Sequence, residues 1–563
     1  MVQSLSKVFL CLVLALSVSQ TVWASSKPSA DLILFHGSIH TLDSSDSIHE
    51  ALAVQAGKII AIGPDKEVLK FRSKKTKIID LKGRLLLPGL NESHAHLSNT
   101  GMLQVQLDLR GAKSFDDVVR QVGERVKTLK KGDWIIGSGW DQNSWPQKSL
   151  PTHDRISEIT PNNPVLLTRV DYHTHLVNQA TMQLAGIGKV TKDPVGGKIA
   201  RDGSGQPNGI LMDTACDLLN NFVPKITADE IRKSIEVAVQ QALELGITSF
   251  TDAYVKGEQL SILRELADKG KLPLRVYAML AADDTKLVNE AFVQGPQIGI
   301  GIDHHLTIRA VKILADGGLG ARSAALLHPY HDDPGNNGIL RVSEGEIFSL
   351  VKRALNAGFQ VAVHGVGDRT NRTVLNACER ALTENPKPDT RLRIEHLSVV
   401  DPEDIPRIAK LGMVVAIQPL FCRTQCSYVG ERVGPELARE GAFAWRSLLN
   451  AGIRIVGSSD SPVENMNPLL GIYTAVTRQD ANGLPPEGWY PNQKLTLREA
   501  VAMYTREAAF ATFDEKAKGT IEVGKNADFT VLSANPFTDG VGSLLLAHAD
   551  LTIIGGEIAF QRH

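Results

Sequence analysis

Cysteine is scarce in this chain, with five among 563 residues. Setting aside Cys11, which falls in an N-terminal apolar run, leaves Cys216, Cys378, Cys422 and Cys426. Four thiols do not make a disulfide scaffold in a domain of this size. No second Cys/His pair of finger spacing accompanies Cys422 and Cys426, so they read as a local disulfide or two free thiols. Charge of one sign is also missing. The net charge is -1 and no long charge run occurs, which removes any global nucleic-acid or acidic-membrane signature. No Gly-x-Gly-x-x-Gly follows the first strand candidate, and no Gly-x-Ser-x-Gly elbow or Walker sequence is present. Dinucleotide, serine-hydrolase and P-loop chemistry therefore lack their usual anchors. The apolar run Val8 to Val18 is too short to span a bilayer comfortably.

That run does fit an export signal. Lys7 precedes it, and Val22-Trp23-Ala24 offers small residues for cleavage after Ala24. Residues 1–24 are thus expected to be a signal peptide without a permanent anchor, and the mature protein to be soluble and exported, periplasmic in a Gram-negative source. Hydrophobic content of 43% and charged content of 22% are ordinary for a globular protein, and the length allows more than one folding unit.

Short strands with Gly turns occupy both ends: Ala30–Ile39 and Ala51–Gly63 early, Ala527–Leu532 and Leu551–Phe560 late. Left separate, they would expose sheet edges. One composite β-sandwich built from residues 25–84 and 515–563 is expected instead. The middle, 85–514, repeats a phrase in which a helix ends in Gly and an apolar strand follows, at Gly246, Gly358, Gly412 and Gly452. Such units argue for parallel strands joined by crossover helices. Eight strand candidates follow in order: Arg84–Leu87, Ile247–Phe250, Leu274–Leu280, Thr307–Leu314, Phe359–Val363, Leu392–Ile394, Met413–Ile417 and Ile453–Val456. An α/β fold, the (β/α)8 TIM barrel, is expected. Residues 97–226 form a long insertion after strand one, too rich in strand and helix signals for a plain loop, and it is read as a lid over the active-site mouth.

Ionisable groups gather where strands end. Leu85-Leu86-Leu87 runs through Pro88-Gly89 to His94-Ala95-His96, whose i, i+2 spacing lets two imidazoles face one ion. Strand four carries Lys312, strand five runs into His364, strand six into Glu395-His396, and strand eight into Ser458-Ser459-Asp460. Barrel active sites are built at this face. Lys312 is the odd member, because an ammonium cannot ligate a metal. It is either paired with an acid such as Asp316 or converted to a carbamate, an anion with two oxygens.

These segments, with Val311-Lys312-Ile-Leu-Ala-Asp-Gly-Gly through Arg322, His364-Gly-Val-Gly-Asp-Arg, Arg393-Ile-Glu-His396 and Gly457-Ser-Ser-Asp460-Ser-Pro-Val, resemble the amidohydrolase superfamily. They are similar to its YtcJ-like branch in the amidohydrolase 3 group, which includes N-substituted formamide deformylase. The resemblance implies a site for two divalent ions, usually zinc. His94, His96 and Asp460 would hold one ion, His364 and His396 the other, and carboxylated Lys312 would bridge them. It implies hydrolysis of a non-peptide carbon–nitrogen bond, amide or N-formyl, by a metal-bridging hydroxide, with Asp460 moving the proton. Glu92 stands where the family motif commonly has Asp, at a position that should not touch metal. Arg322, His173 and Trp140 are candidate substrate-pocket residues, the substrate is a small amide, and a homodimer is common among similar proteins. A deaminase, a lactone or ester hydrolase on the same scaffold, and a non-catalytic binding or signalling protein are the competing readings.

Overall fold

The computed structural model describes residues 29–103 and 106–563. The expected signal peptide lies outside them. No helix among the described residues is long and apolar enough to cross a membrane.

Strands from both ends of the chain pair with one another. Phe529–Leu532 runs antiparallel to Leu85–Pro88, which in turn lies parallel to Ser38–His40. They belong to a six-stranded sheet that also contains Ala549–Ile554 and Glu557–Gln561. A four-stranded sheet of Leu32–Phe35, Ala51–Gln55, Lys58–Gly63 and Lys77–Asp80 packs against it. Leu34, Leu52 and Val54 from one sheet meet Leu86, Phe529, Val531 and Ile553 from the other in one apolar core. These strands are buried on both faces: Leu86 points into the sandwich while Leu85 and Leu87 join the barrel's core, and Ile33 and Ala53 pack in a separate cluster behind the four-stranded sheet.

The barrel strands are β1 (Leu90–Ala95), β2 (Ile247–Val255), β3 (Arg275–Ala281), β4 (Leu306–Leu314), β5 (Gln360–Gly365), β6 (Arg393–His396), β7 (Val414–Ile417) and β8 (Arg454–Gly457). All neighbouring pairs from β1 to β8 are parallel. At the top the ring is drawn together by the Asp460 amide donating to the His94 carbonyl and the His96 amide to the Ser461 carbonyl, both at 2.8 Å. A TIM barrel results. Gly246, Gly358, Gly412 and Gly452 have φ between +62° and +83°, the left-handed turn that ends a helix before the next strand.

The first strand corrects the sequence reading. Arg84–Leu87, read as barrel strand one, falls on the strand Leu85–Pro88, which belongs to the sandwich, and the barrel begins beyond Gly89 at Leu90. Gly89 is the crossing point. A Cβ there would fall 2.1 Å from the Thr248 hydroxyl oxygen, so the backbone needs its lack of a side chain. The apolar run looked more strand-like than Asn91-Glu92-Ser93-His94, in which Glu92 and His94 are polar because they meet Ser459 and Glu395 inside the barrel top, while Asn91 bonds the Tyr504 carbonyl.

Between β1 and β2 the insertion is a folded layer. Six strands, among them Ile135–Trp140, Val165–Arg169, Thr174–Val177 and Pro207–Asp213, form one sheet. Trp140, Trp145, Val118, Val122, Leu167 and Ile210 share its core. Asp171, Tyr172 and His173, in the connection between two of these strands, reach the barrel mouth.

Candidate functional site

β1 carries His94 fully buried at its C-terminal end, with His96 one residue beyond the strand. The Nδ1 hydrogen of His94 goes to the Glu395 carboxylate. Glu395 is itself held by Arg393, at 2.7 and 3.1 Å. Burial would raise the Glu395 carboxyl, but Arg393 and His94 outweigh it and hold the group well below the usual carboxylate range. An ionised acceptor at Nδ1 leaves the lone pair of His94 on Nε2. That atom faces Asp460 Oδ1 at 3.4 Å, and His96 Nε2 faces the same oxygen at 3.1 Å.

Ligand atoms of His94, His96 and Asp460 all lie within 4.8 Å of one another. Asp460 Oδ1 is buried and accepts no hydrogen bond among the described residues. An orphaned carboxylate oxygen facing two imidazole nitrogens is what a cation would satisfy. Backbone strain coincides with these positions: Asp460 has φ +57° and His396 φ +78°.

His396 closes β6. Its Nδ1 pairs with Gln418 Oε1 at 2.9 Å, and Gln418 donates to Ser458 Oγ at 2.9 Å. The His396 ring centroid lies 4.8 Å from that of His94 and 4.4 Å from that of His364. Phe421 stacks alongside, 6.1 Å away and within 6° of parallel. On β5, His364 has a buried Nε2 without a hydrogen bond, although Asp316 Oδ1 stands 3.2 Å away. Burial pushes His364 and His396 well below the ordinary histidine value, toward the neutral form that binds metals.

Lys312, on β4, is fully buried, and its Nζ lies 3.3 Å from His94 Nε2. Burial pulls the ammonium down to about 8. The ion pair with Asp316 does not form. Asp316 instead accepts from the Val366, Gly367 and Ala325 amides and the Thr370 hydroxyl, at 2.8–3.0 Å. No carboxylate stands within 4.0 Å of Lys312 Nζ among the described residues. Glu92 touches none of the candidate ligand side chains. It accepts from the His94 amide, the Ser459 amide and the Ser459 hydroxyl at 2.9, 3.2 and 2.7 Å, tying β1 to the loop after β8.

Of the three candidate pocket residues, one reaches the site. His173 gives Nδ1 to Asp213 Oδ1 at 2.9 Å, and its ring lies 5.0 Å from that of His364. Trp140 does not: its indole N–H donates to the Leu167 carbonyl at 2.9 Å inside the insertion core. Arg322 is also elsewhere, forming a two-pronged pair with Asp332 at 3.0 and 2.8 Å. Sequence reasoning gave no role to Glu395 or Gln418. The Arg393-Ile-Glu395 alternation, which puts opposite charges on one strand face, was the available signal. Cys422 and Cys426 are free thiols on the helix Pro419–Val433.

Two adjoining cavities meet at these residues. One of about 310 Å³ is lined by His94, His96, His173, Lys312, His396 and Asp460. The other, about 880 Å³, shares His173, His364, His396 and Asp460 and runs out between the insertion and the helix after β7. Their size suits a small organic molecule.

The profile of the amidohydrolase family matches residues 77–560. YtcJ of Bacillus subtilis is 34% identical over 539 residues, spanning 94% of this chain and 99% of its own. The N-substituted formamide deformylase of Arthrobacter pascens is 27% identical, spanning 94% of this chain and 98% of its own. A crystal structure of an uncharacterized metal-dependent hydrolase from Pyrococcus furiosus superposes with a TM-score of 0.70 at 29% identity, over 90% of this chain and all of that one. The chain belongs to the amidohydrolase family, and it is a metal-dependent hydrolase of non-peptide carbon–nitrogen bonds.

Proposed function

We propose that the protein hydrolyses an amide or N-formyl group of a small molecule at a site for two divalent ions, with zinc the fitting metal for His and carboxylate donors. His94, His96 and Asp460 would hold one ion, His364 and His396 the second, and Lys312 would bridge them once carboxylated on Nζ. The observation that carries this reading is the convergence of three ligand atoms within 4.8 Å around an oxygen that has no hydrogen bond. The fully buried Lys312 beside them, without an acid partner, supports the carboxylated form.

Ions bound there supply Lewis-acid polarisation of the carbonyl and acidify water to a pKa of about 7. The protein's own part is positional. Glu395 and Gln418 fix the tautomers of His94 and His396 by taking their Nδ1 hydrogens. The Asp460 carboxylate takes the proton of the attacking water and returns it to the leaving nitrogen as the carbon–nitrogen bond breaks, releasing an acid and an amine. His173, fixed by Asp213, borders the cavity where the carbonyl would sit.

Metal analysis of the purified protein tests the site: close to two transition-metal ions per chain are expected, and full activity without metal would overturn it. A hydrolysis screen of metal-loaded protein over N-formyl, N-acyl, cyclic-amide and lactone substrates tests the reaction. Turnover confined to lactones would refute the amide assignment.

A further inference from the structure

The larger cavity is walled by charged groups, and away from the candidate metal ligands all but one are hydrogen-bonded within the protein. Asp108 binds Arg110, at 2.7–3.2 Å. Asp141 and Asp171 both bind Arg169. Asp480 Oδ1 accepts the Asn482 and Leu484 amides at 2.7 and 2.9 Å, closing its own turn. Glu464 Oε1 accepts the Thr424 hydroxyl at 2.6 Å. Arg423 differs. It lines the same cavity from the helix Pro419–Val433, and its guanidinium forms no hydrogen bond or ion pair among the described residues. Its Nη1 is nonetheless buried.

A guanidinium stays charged at any physiological pH, and a buried nitrogen without an acceptor is unfavourable. Other arginines of this region show the contrast: Arg169, Arg322 and Arg432 all have carboxylate partners. Arg423 is half-buried and its charge acts on Glu464 without a hydrogen bond, so the cavity it lines is the place for an acceptor to its buried Nη1. Phe421, Leu319 and Val463 line the same space and give it an apolar side. We propose that Arg423 recognises a carboxylate on the substrate, so that the preferred substrates are small amides joining an apolar body to a carboxylate, as in N-acyl or N-formyl amino acids. This deepens the reading of the site as an amide-hydrolysing centre and rests on it. The fork of donors on Arg423 suits two-pronged carboxylate binding.

The test separates recognition from turnover. Binding of 3-phenylpropanoate, 3-phenylpropanol and 3-phenylpropylamine to metal-loaded protein is measured by titration calorimetry for the parent protein, Arg423→Met and Arg423→Lys. The propanoate should bind at least about tenfold tighter than the alcohol. Arg423→Met should erase most of that preference and Arg423→Lys only part of it. A propanoate preference that survives Arg423→Met intact, or tightest binding of the amine, overturns the proposal. In a second arm, kcat/KM for N-formylphenylalanine relative to N-formylphenethylamine should fall on the order of 10- to 100-fold in Arg423→Met. An equal loss on both substrates overturns it. Should neither compound turn over while the Arg423-dependent propanoate preference persists, the amide reaction fails and the carboxylate subsite stands.

Discussion

Glu395 takes the Nδ1 hydrogen of His94 while both of its oxygens also hold Arg393, so one buried carboxylate orients an imidazole and neutralises a guanidinium. Glu395→Gln should weaken metal binding on the order of 10- to 100-fold, because the orienting acceptor becomes ambiguous. It should also destabilise the fold by about 3–5 kcal/mol, since Arg393 is left buried and unpaired. Chelator competition and thermal unfolding read the two effects separately.

Lys312→Ala should abolish activity and release at least one metal ion. Bicarbonate or short carboxylic acids should restore part of the activity by standing in for the lost carbamate. If the variant keeps both ions, Lys312 is not a ligand and the bridging role falls.

His175 offers a pH test remote from Asp460. It lies on the insertion strand Thr174–Val177, its Nδ1 is buried without a partner, and burial lowers it to about 4. An unfolded histidine takes up its proton near 6.5, whereas the folded one resists until about 4. Its neutral form therefore stabilises the fold above about 6.5, and that stability is lost as pH falls toward 4. With screening by nearby solvent, the loss amounts to about 2 kcal/mol. The melting temperature of His175→Gln relative to the parent protein should rise as pH falls from 7.5 to 5. A gap that does not change with pH would refute the shift.

Trp140→Ala should act through the insertion core alone. Deleting the indole costs about 3–5 kcal/mol by cavity formation, read by thermal unfolding. Arg322→Ala, which removes a half-buried pair with Asp332, should cost about 1 kcal/mol or less and leave KM unchanged. A substrate-specific rise in KM would return Arg322 to the pocket.

The legible part of the fold was the part written in backbone grammar. Gly358 and Gly452 must turn left-handed after a helix, and the β-branched residues behind them must extend, so the strands could be placed. Leu85–Leu87 failed the same logic. Its apolarity marks a strand buried in the sandwich, while the true β1 is polar because Glu92 and His94 face other side chains inside the barrel. His94, His96, Lys312, His364, His396 and Asp460 were legible as a set because each lies near or just beyond the C-terminal end of a strand of one parallel sheet. What surrounds them was not. That Glu395 orients His94, or that Arg423 lacks a partner, depends on contacts between segments far apart in sequence. Trp140 misled because a tryptophan near a mouth and one in a core look alike until its N–H partner, the Leu167 carbonyl, is known.

The crossing at Gly89 also sets a timetable for synthesis. Leu85–Pro88 leaves the ribosome long before its antiparallel neighbour Phe529–Leu532 is made. The Leu90 amide, first in the barrel, donates to the Thr530 hydroxyl at 3.2 Å, so the opening strand of the catalytic ring also waits for that distant segment. Such distant pairing delays completion of the sheet, and a chain stopped at residue 514 would keep its candidate ligands but leave Leu85–Pro88 an open edge, ready to join another molecule.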